Sequence, residues 1–301
     1  MSKTPDFFIL GAPKCGTTSM AAWLSQHPNI YLSMWKEPMY FDRDLKTRLR
    51  LGRRQYLNLF KDATEKHLAV GEATVWYLYS RVAVPAIERE LPGARFIVML
   101  RNPVDMAYAL HEQMTMGNVE HELDFAKAWR MSPKRREGLA TRPWVVEPRR
   151  LDYQAICSLG DQIGRLFGSV DRSRVLPLVL DDVREDPRRE YVRVLRFLNV
   201  PDDGRSDFPI QNPAKRVRSP LVQALLKVAK KGEFVLQLNL GLSSAHPALW
   251  RRLYALNRSP RPRPPLAPEM RAELQEFFAQ DIARLGDLLR RDLSPWRGDP
   301  A

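Results

Sequence analysis

Cysteine is nearly absent: the 301 residues contain only Cys15 and Cys157. Two thiols so far apart cannot build a disulfide framework, and they lack the spacing of a zinc cluster. The five histidines, at 27, 67, 111, 121 and 246, form no HxxxH or HExxH pattern, which argues against a zinc enzyme. Long apolar runs are missing too. No window approaches the ~18 consecutive apolar residues of a membrane-spanning helix. The N-terminal run Phe7 to Leu10 is shorter than a signal-peptide core, so the expectation is a cytoplasmic protein. Acidic residues are in deficit, 35 against 48 Lys plus Arg, for a net charge of +13. That surplus favours anionic partners. It is spread over clusters at 48–54, 134–136, 215–218 and 251–263, which argues against a single nucleic-acid tail, and no nucleic-acid partner is expected.

What is present reads as an ordinary globular α/β chain: 44% hydrophobic and 28% charged residues exclude disorder. Phe7 to Leu10, Arg95 to Leu100 and Val175 to Leu180 are short apolar strands, with Pro177 marking the last as an edge. Helical patterns follow at about 20–26, 50–61, 84–91, 104–115, 154–167, 187–198 and 268–289. Residues 117–150 are polar and weakly periodic and read as an insertion over the active face. Residues 202–222 read as a basic loop, and 258–268 as an extended proline-rich connector. Phe234 to Leu242 suits a packed helix or strand, with contact to a membrane as the alternative. Strands alternating with helices imply a mostly parallel sheet covered on both faces, in one domain over 1–301.

The most informative stretch is Gly11-Ala12-Pro13-Lys14-Cys15-Gly16-Thr17-Thr18-Ser19, between a strand and a helix. A helix N-terminus presents unpaired N–H groups and a positive dipole end to an anion. The glycines let the backbone approach closely. Three hydroxyls and Lys14 add donors. The nucleotide P-loop motif GxxxxGK[ST] is not met, because Lys14 precedes Gly16 and Thr17 follows it. Arg101 sits at the carboxyl end of the second strand, on the edge where open α/β sheets bind ligands. It can grip a phosphate with two parallel bonds, or pair with Asp105 at the helix start.

The loop resembles the phosphosulfate-binding loop of sulfotransferases that use 3′-phosphoadenylyl sulfate (PAPS), of the heparan-sulfate type and its bacterial relatives. The resemblance extends over Lys36-Glu37-Pro38-Met39-Tyr40-Phe41, Gly71-Glu72-Ala73-Thr74, Ile97 to Asp105, Arg196 to Val200 and Arg291 to Trp296. It implies a P-loop-like three-layer fold with helical insertions. It also implies sulfuryl transfer from PAPS to a hydroxyl of a carbohydrate or other small acceptor. Adenosine 3′,5′-bisphosphate (PAP) would be the product, and no metal would be used. Pro13 to Ser19 would hold the 5′-phosphosulfate, with Lys14 bracing the leaving oxygen, and Arg101 would take the 3′-phosphate. The family pattern has Ser eight residues beyond that arginine, where this chain has Ala109, one donor fewer. Tyr108 or His111 are the candidate replacements; His111 otherwise lines the acceptor side or lies on a helix face. Lys215, Arg216 and Arg218 would close over the nucleotide, unless they are a solvated run.

Glu37 would be the base, the alternative being a surface ion pair. Trp35, Pro38, Met39, Tyr40 and Phe41 would wall the acceptor pocket. Glu72 is a second carboxylate candidate. Glycan enzymes of the family often carry Lys where this chain has Ala73. Trp76, Tyr77 and Tyr79 would stack on an acceptor or belong to the core. Asp181-Asp182 reads as a helix start rather than a metal site. Competing readings are a nucleotide kinase or NTPase, a polyanion-binding module, and a sulfotransferase weakened by the alanine at 109.

Overall fold

A computed structural model describes residues 3–33, 35–210 and 264–298, together with 215–217, 258–260 and scattered positions between 222 and 256. Its centre is a five-stranded parallel sheet: β1 Phe7–Gly11, β2 Ile30–Leu32, β3 Ala69–Ala73, β4 Arg95–Leu100 and β5 Val175–Val179. The strand order is β2-β3-β1-β4-β5. β1 and β4 read as unbroken apolar runs because central parallel strands are covered on both faces, and both are buried along nearly their whole length. β5 pairs only with β4, so Pro177, which lacks an N–H, costs the sheet no bond on its open side.

Helices flank this sheet: α1 Thr17–Leu24, α2 Arg53–Asn58, α3 Ala83–Glu90, α4 Pro103–Met116, α5 Phe125–Arg130, α6 Ser132–Arg136, α7 Tyr153–Cys157, α8 Leu159–Ser169, α9 Leu180–Glu185, α10 Pro187–Leu198, α11 Pro268–Leu289 and α12 Ser294–Arg297. α4 starts where Asn102 Oδ1 accepts from Val104 N at 3.0 Å and Pro103 fills the first helical position. α11 buries Met270, Leu274, Phe278, Ile282 and Leu285 along one stripe and packs on α8 and α4.

Three expectations change. β2 and β3 escaped the sequence reading because one is three residues long and the other, AVGEA, holds a glycine and a glutamate. The glycine has a packing reason: a Cβ on Gly71 would come within 2.4 Å of the Phe7 ring on β1. The helix expected over 154–167 is two helices broken at Ser158, and Asp281 of α11 accepts from Gly160 N and Asp161 N at the second start. The insertion at 117–150 has its own framework: Arg135 and Glu120 are buried together, and Tyr153 donates to Glu120 at 2.8 Å. Of the basic loop, 201–209 packs against α1 through Phe208 on Trp23, whose Nε1 donates to Pro209 O. Lys215 and Arg216 lie on β6 Lys215–Val217, paired antiparallel with β7 Arg258–Pro260. Their side chains, with Arg218 and the run 234–242, lie outside the described residues.

Candidate active site

The turn after β1 is built for close approach. Gly16 has φ +88°, and a Cβ there would stand 2.8 Å from Leu180 Cδ1 on α9. Lys14 is also left-handed, at φ +66°, a conformation non-glycine residues adopt at a cost of about 1–3 kcal/mol. Thr17 and Thr18 are already in the first turn of α1, so their N–H groups have no intrahelical acceptor. Ser19 N donates to Gly16 O at 3.0 Å. Pro13, Thr17 and Ser19 are buried, while Lys14, Gly16 and Thr18 are half-buried.

Arg101 leaves the end of β4 toward this same turn. Its Nη1 donates to Lys14 O at 3.4 Å, a long contact, and its Nη2 lies 3.9 Å from Asp105 Oδ2. The sequence posed Asp105 and an anion as alternatives. Asp105 is shared with Arg271 of α11 at 3.1 Å, so it does not neutralise Arg101 alone. Cys15 lies beneath the turn. Its thiol is fully buried against Met106 Sδ, and burial pushes it up to about 12 although Arg101 and Lys14 pull the other way. Its side chain therefore belongs to the core; within the cradle only its backbone is available to a ligand. Ala109 is buried in α4 and has no side-chain donor to offer.

Ser33 and Glu37 are both bonded to β3. Ser33 N donates to Gly71 O at 2.9 Å and Glu37 N to Ala73 O at 2.8 Å. Glu37 has φ +63° and Met39 φ +51°, so the segment is held in a costly shape. Glu37 keeps 30% of its side chain exposed, and its Oε1 is 3.8 Å from Lys36 Nζ. Lys36 in turn donates to Thr18 Oγ1. The sequence reading passed over Lys36, although it stands beside the candidate base in the quoted motif.

Four expected substrate contacts turn inward instead. Tyr40 stacks on Tyr56 at 4.2 Å, and Phe41 packs edge-on to Phe8, Tyr56 and Tyr77. Both are core residues. Glu72 is wholly buried beneath them, accepting from Tyr56 Oη at 3.0 Å and Thr74 Oγ1 at 3.3 Å. His111 is buried between Phe125 and Tyr153, with Nε2 2.8 Å from Glu122 O. Their apolar neighbours, invisible in a linear pattern, decide this. Trp35 and Met39 stay half-buried. Trp76 is buried, but the guanidinium of Arg150 lies over its ring at 4.9 Å. Arg150, at the end of the insertion, also contacts Met39 Sδ and sits 3.7 Å from the buried Asp42. The sequence reading missed Arg150, and no spacing marks it.

Burial raises the Glu72 carboxyl from the usual 4.5 to about 8, against the lowering effect of its tyrosine and threonine donors. Between those values the unfolded chain has released a proton that the folded chain keeps, so stability falls as pH rises through that window. Glu72→Gln is expected to flatten this part of a plot of melting temperature against pH. A slope identical to that of the parent protein contradicts the buried, protonated assignment.

Asp182 is tied to Arg291 by two hydrogen bonds, and Asn102 Nδ2 reaches Trp296 O at 3.3 Å. The C-terminal motif thus braces the carboxyl ends of β4 and β5.

A family model described as "Sulfotransferase family" matches residues 5–204. The chain belongs to the sulfotransferase family. Its curated relatives include the membrane-associated sulfotransferase kil1 of Dictyostelium discoideum, 32% identical over 34% of this chain and 21% of that protein. Human carbohydrate sulfotransferase 15 is 31% identical over 35% of this chain and 26% of that protein. The chain therefore aligns with only a fifth to a quarter of these relatives' length. A sulfotransferase structure from Alicyclobacillus acidocaldarius is similar along 98% of this chain and 99% of its own, with a TM-score of 0.72 and 25% identity. The mouse sulfotransferase SULT7A1, solved with PAP, shares the fold at a TM-score of 0.50 and 14% identity, over 96% and 88% of the two chains. The P-loop-like sheet flanked by helices is thus the fold of sulfotransferases.

Proposed function

We propose that this sulfotransferase moves a sulfuryl group from PAPS to a hydroxyl of a carbohydrate or other small acceptor, as one domain over 1–301. The observation that carries the reading is the contact of Arg101 with the carbonyl of Lys14. It puts a guanidinium and a helix N-terminus against one backbone turn, as a nucleotide with acid groups at both ends of its ribose requires. The family and the carbohydrate sulfotransferase among its relatives support the donor and the acceptor class.

In this reading the first turn of α1 and Lys14 hold the 5′-phosphosulfate, and Arg101 holds the 3′-phosphate. Glu37 accepts the acceptor's hydroxyl proton as that oxygen forms its bond to sulfur. The bond between sulfur and the bridging oxygen breaks, and PAP leaves with the electron pair. Lys14 and the helix N-terminus stabilise the charge gathering on that oxygen. Trp35 and Met39 line the acceptor side.

Calorimetric titration tests the donor. The protein is expected to bind PAP more tightly than ADP. Arg101→Ala is expected to weaken PAP by roughly tenfold to a hundredfold, the scale of a lost charge-assisted bond, and to leave ADP nearly unchanged. Equal binding of PAP and ADP by the parent protein overturns the reading.

A further inference from the structure

Beside α1 lies a cleft of about 620 Å³, lined among others by Thr18, Ser33, Lys36, His67 and Ala73. Lys36 is the cation next to the machinery described above, and no step of the reaction yet uses it. Its Nζ donates to Thr18 Oγ1 at 2.5 Å and lies 3.8 Å from Glu37 Oε1. One ammonium group thus touches both the helix start that would hold the donor and the carboxylate that would take the acceptor's proton.

The setting suits a working charge rather than a surface one. About a third of the side chain, 31%, remains exposed, so it can meet a ligand. Burial lowers its proton affinity and the charge of Glu37 opposes that fall. Ala73, at the end of β3, lines the same cleft and puts only a methyl group there. Lysine carries three donors on a compact head. One is spent on Thr18 and one can face Glu37, which leaves a third for an incoming oxygen.

We infer that Lys36 is a second catalytic cation, contacting the non-bridging oxygens of the sulfuryl group between Thr18 and Glu37. This rests on the sulfotransfer reading and assigns a residue to it. A transferring sulfuryl group keeps its negative charge on those oxygens, and a fixed cation in a cleft shields it without the reorganisation that water would need. Lys14 serves the leaving oxygen and Lys36 the group that moves.

The contrast between PAPS and PAP isolates this contact, because PAP lacks the sulfuryl group. Titration of Lys36→Met is expected to weaken PAPS by about tenfold, the scale of one charge-assisted bond, with PAP within threefold of the parent protein. Release of sulfate from radiolabelled PAPS, with water as acceptor, is expected to slow at least as much. Retained PAP binding shows that the variant is folded. Should Lys36→Met lose PAP as well, Lys36→Gln keeps a donor for Thr18 and the same ratio decides. If PAPS and PAP are weakened equally in both variants, or in neither, Lys36 has no contact with the sulfuryl group and the inference falls. A parent protein that binds PAP and ADP alike removes the sulfotransfer reading itself, a distinct outcome.

Discussion

Lys14→Ala is expected to slow sulfuryl transfer by roughly 10²-fold or more, the usual cost of removing one preorganised donor from a site of charge development. The backbone supports a clean comparison. Lys14 is held at φ +66°, and alanine also carries a Cβ, so the strain of that turn is the same in both proteins. The start of α1 and Gly16, which share the 5′-phosphosulfate with Lys14 in this reading, are not touched by the substitution. PAP affinity should therefore fall much less than the rate. The measurement is initial transfer from radiolabelled PAPS to a panel of glycan and phenol acceptors, set beside PAP titration. A rate within threefold of the parent protein removes Lys14 from the mechanism.

Glu37→Gln is expected to have an effect of the same order, about 10²-fold in turnover, because glutamine has the shape of glutamate but cannot take a proton. The backbone bond from residue 37 to Ala73 O remains, so the segment should keep its place beside β3. What is lost is the carboxylate and its ion pair with Lys36 at 3.8 Å. That pair is partly exposed and adds little stability, so the melting temperature should hardly move. Unaltered turnover in Glu37→Gln would leave the 3.8 Å pair as the whole role of this residue. Turnover lost together with PAP binding would make Glu37 a support of the donor cradle instead of the base.

The turn between β1 and α1 and the strand end that carries Arg101 were legible in the chain. A short apolar run, a glycine turn and hydroxyls opening a helix are local features, and each depends on neighbours within a few residues. Arg101 could be placed on the same edge as Lys14 because parallel strands feed their carboxyl ends to one side. The aromatic and acidic residues around Glu37 were not legible in this way. Tyr40 and Phe41 read as pocket residues by their nearness to the motif and Glu72 as a second carboxylate candidate, yet all three point into the layer between Phe8, Tyr56 and Tyr77. Lys36 and Arg150 were passed over for the converse reason. Their partners, Thr18 in one case and Met39, Asp42 and Trp76 in the other, come from distant parts of the chain.

The sequence by itself determined the strand–turn–helix at 7–24 and the strand and capped helix at 95–116. These follow from local propensity, capping and the parallel order of strands. Only the tertiary structure decided which side chains beside Glu37 face the cleft and which fill the core. That choice depends on the packing of β3 against β1 and of the insertion against Trp76, contacts between residues far apart in the chain that no short-range pattern encodes.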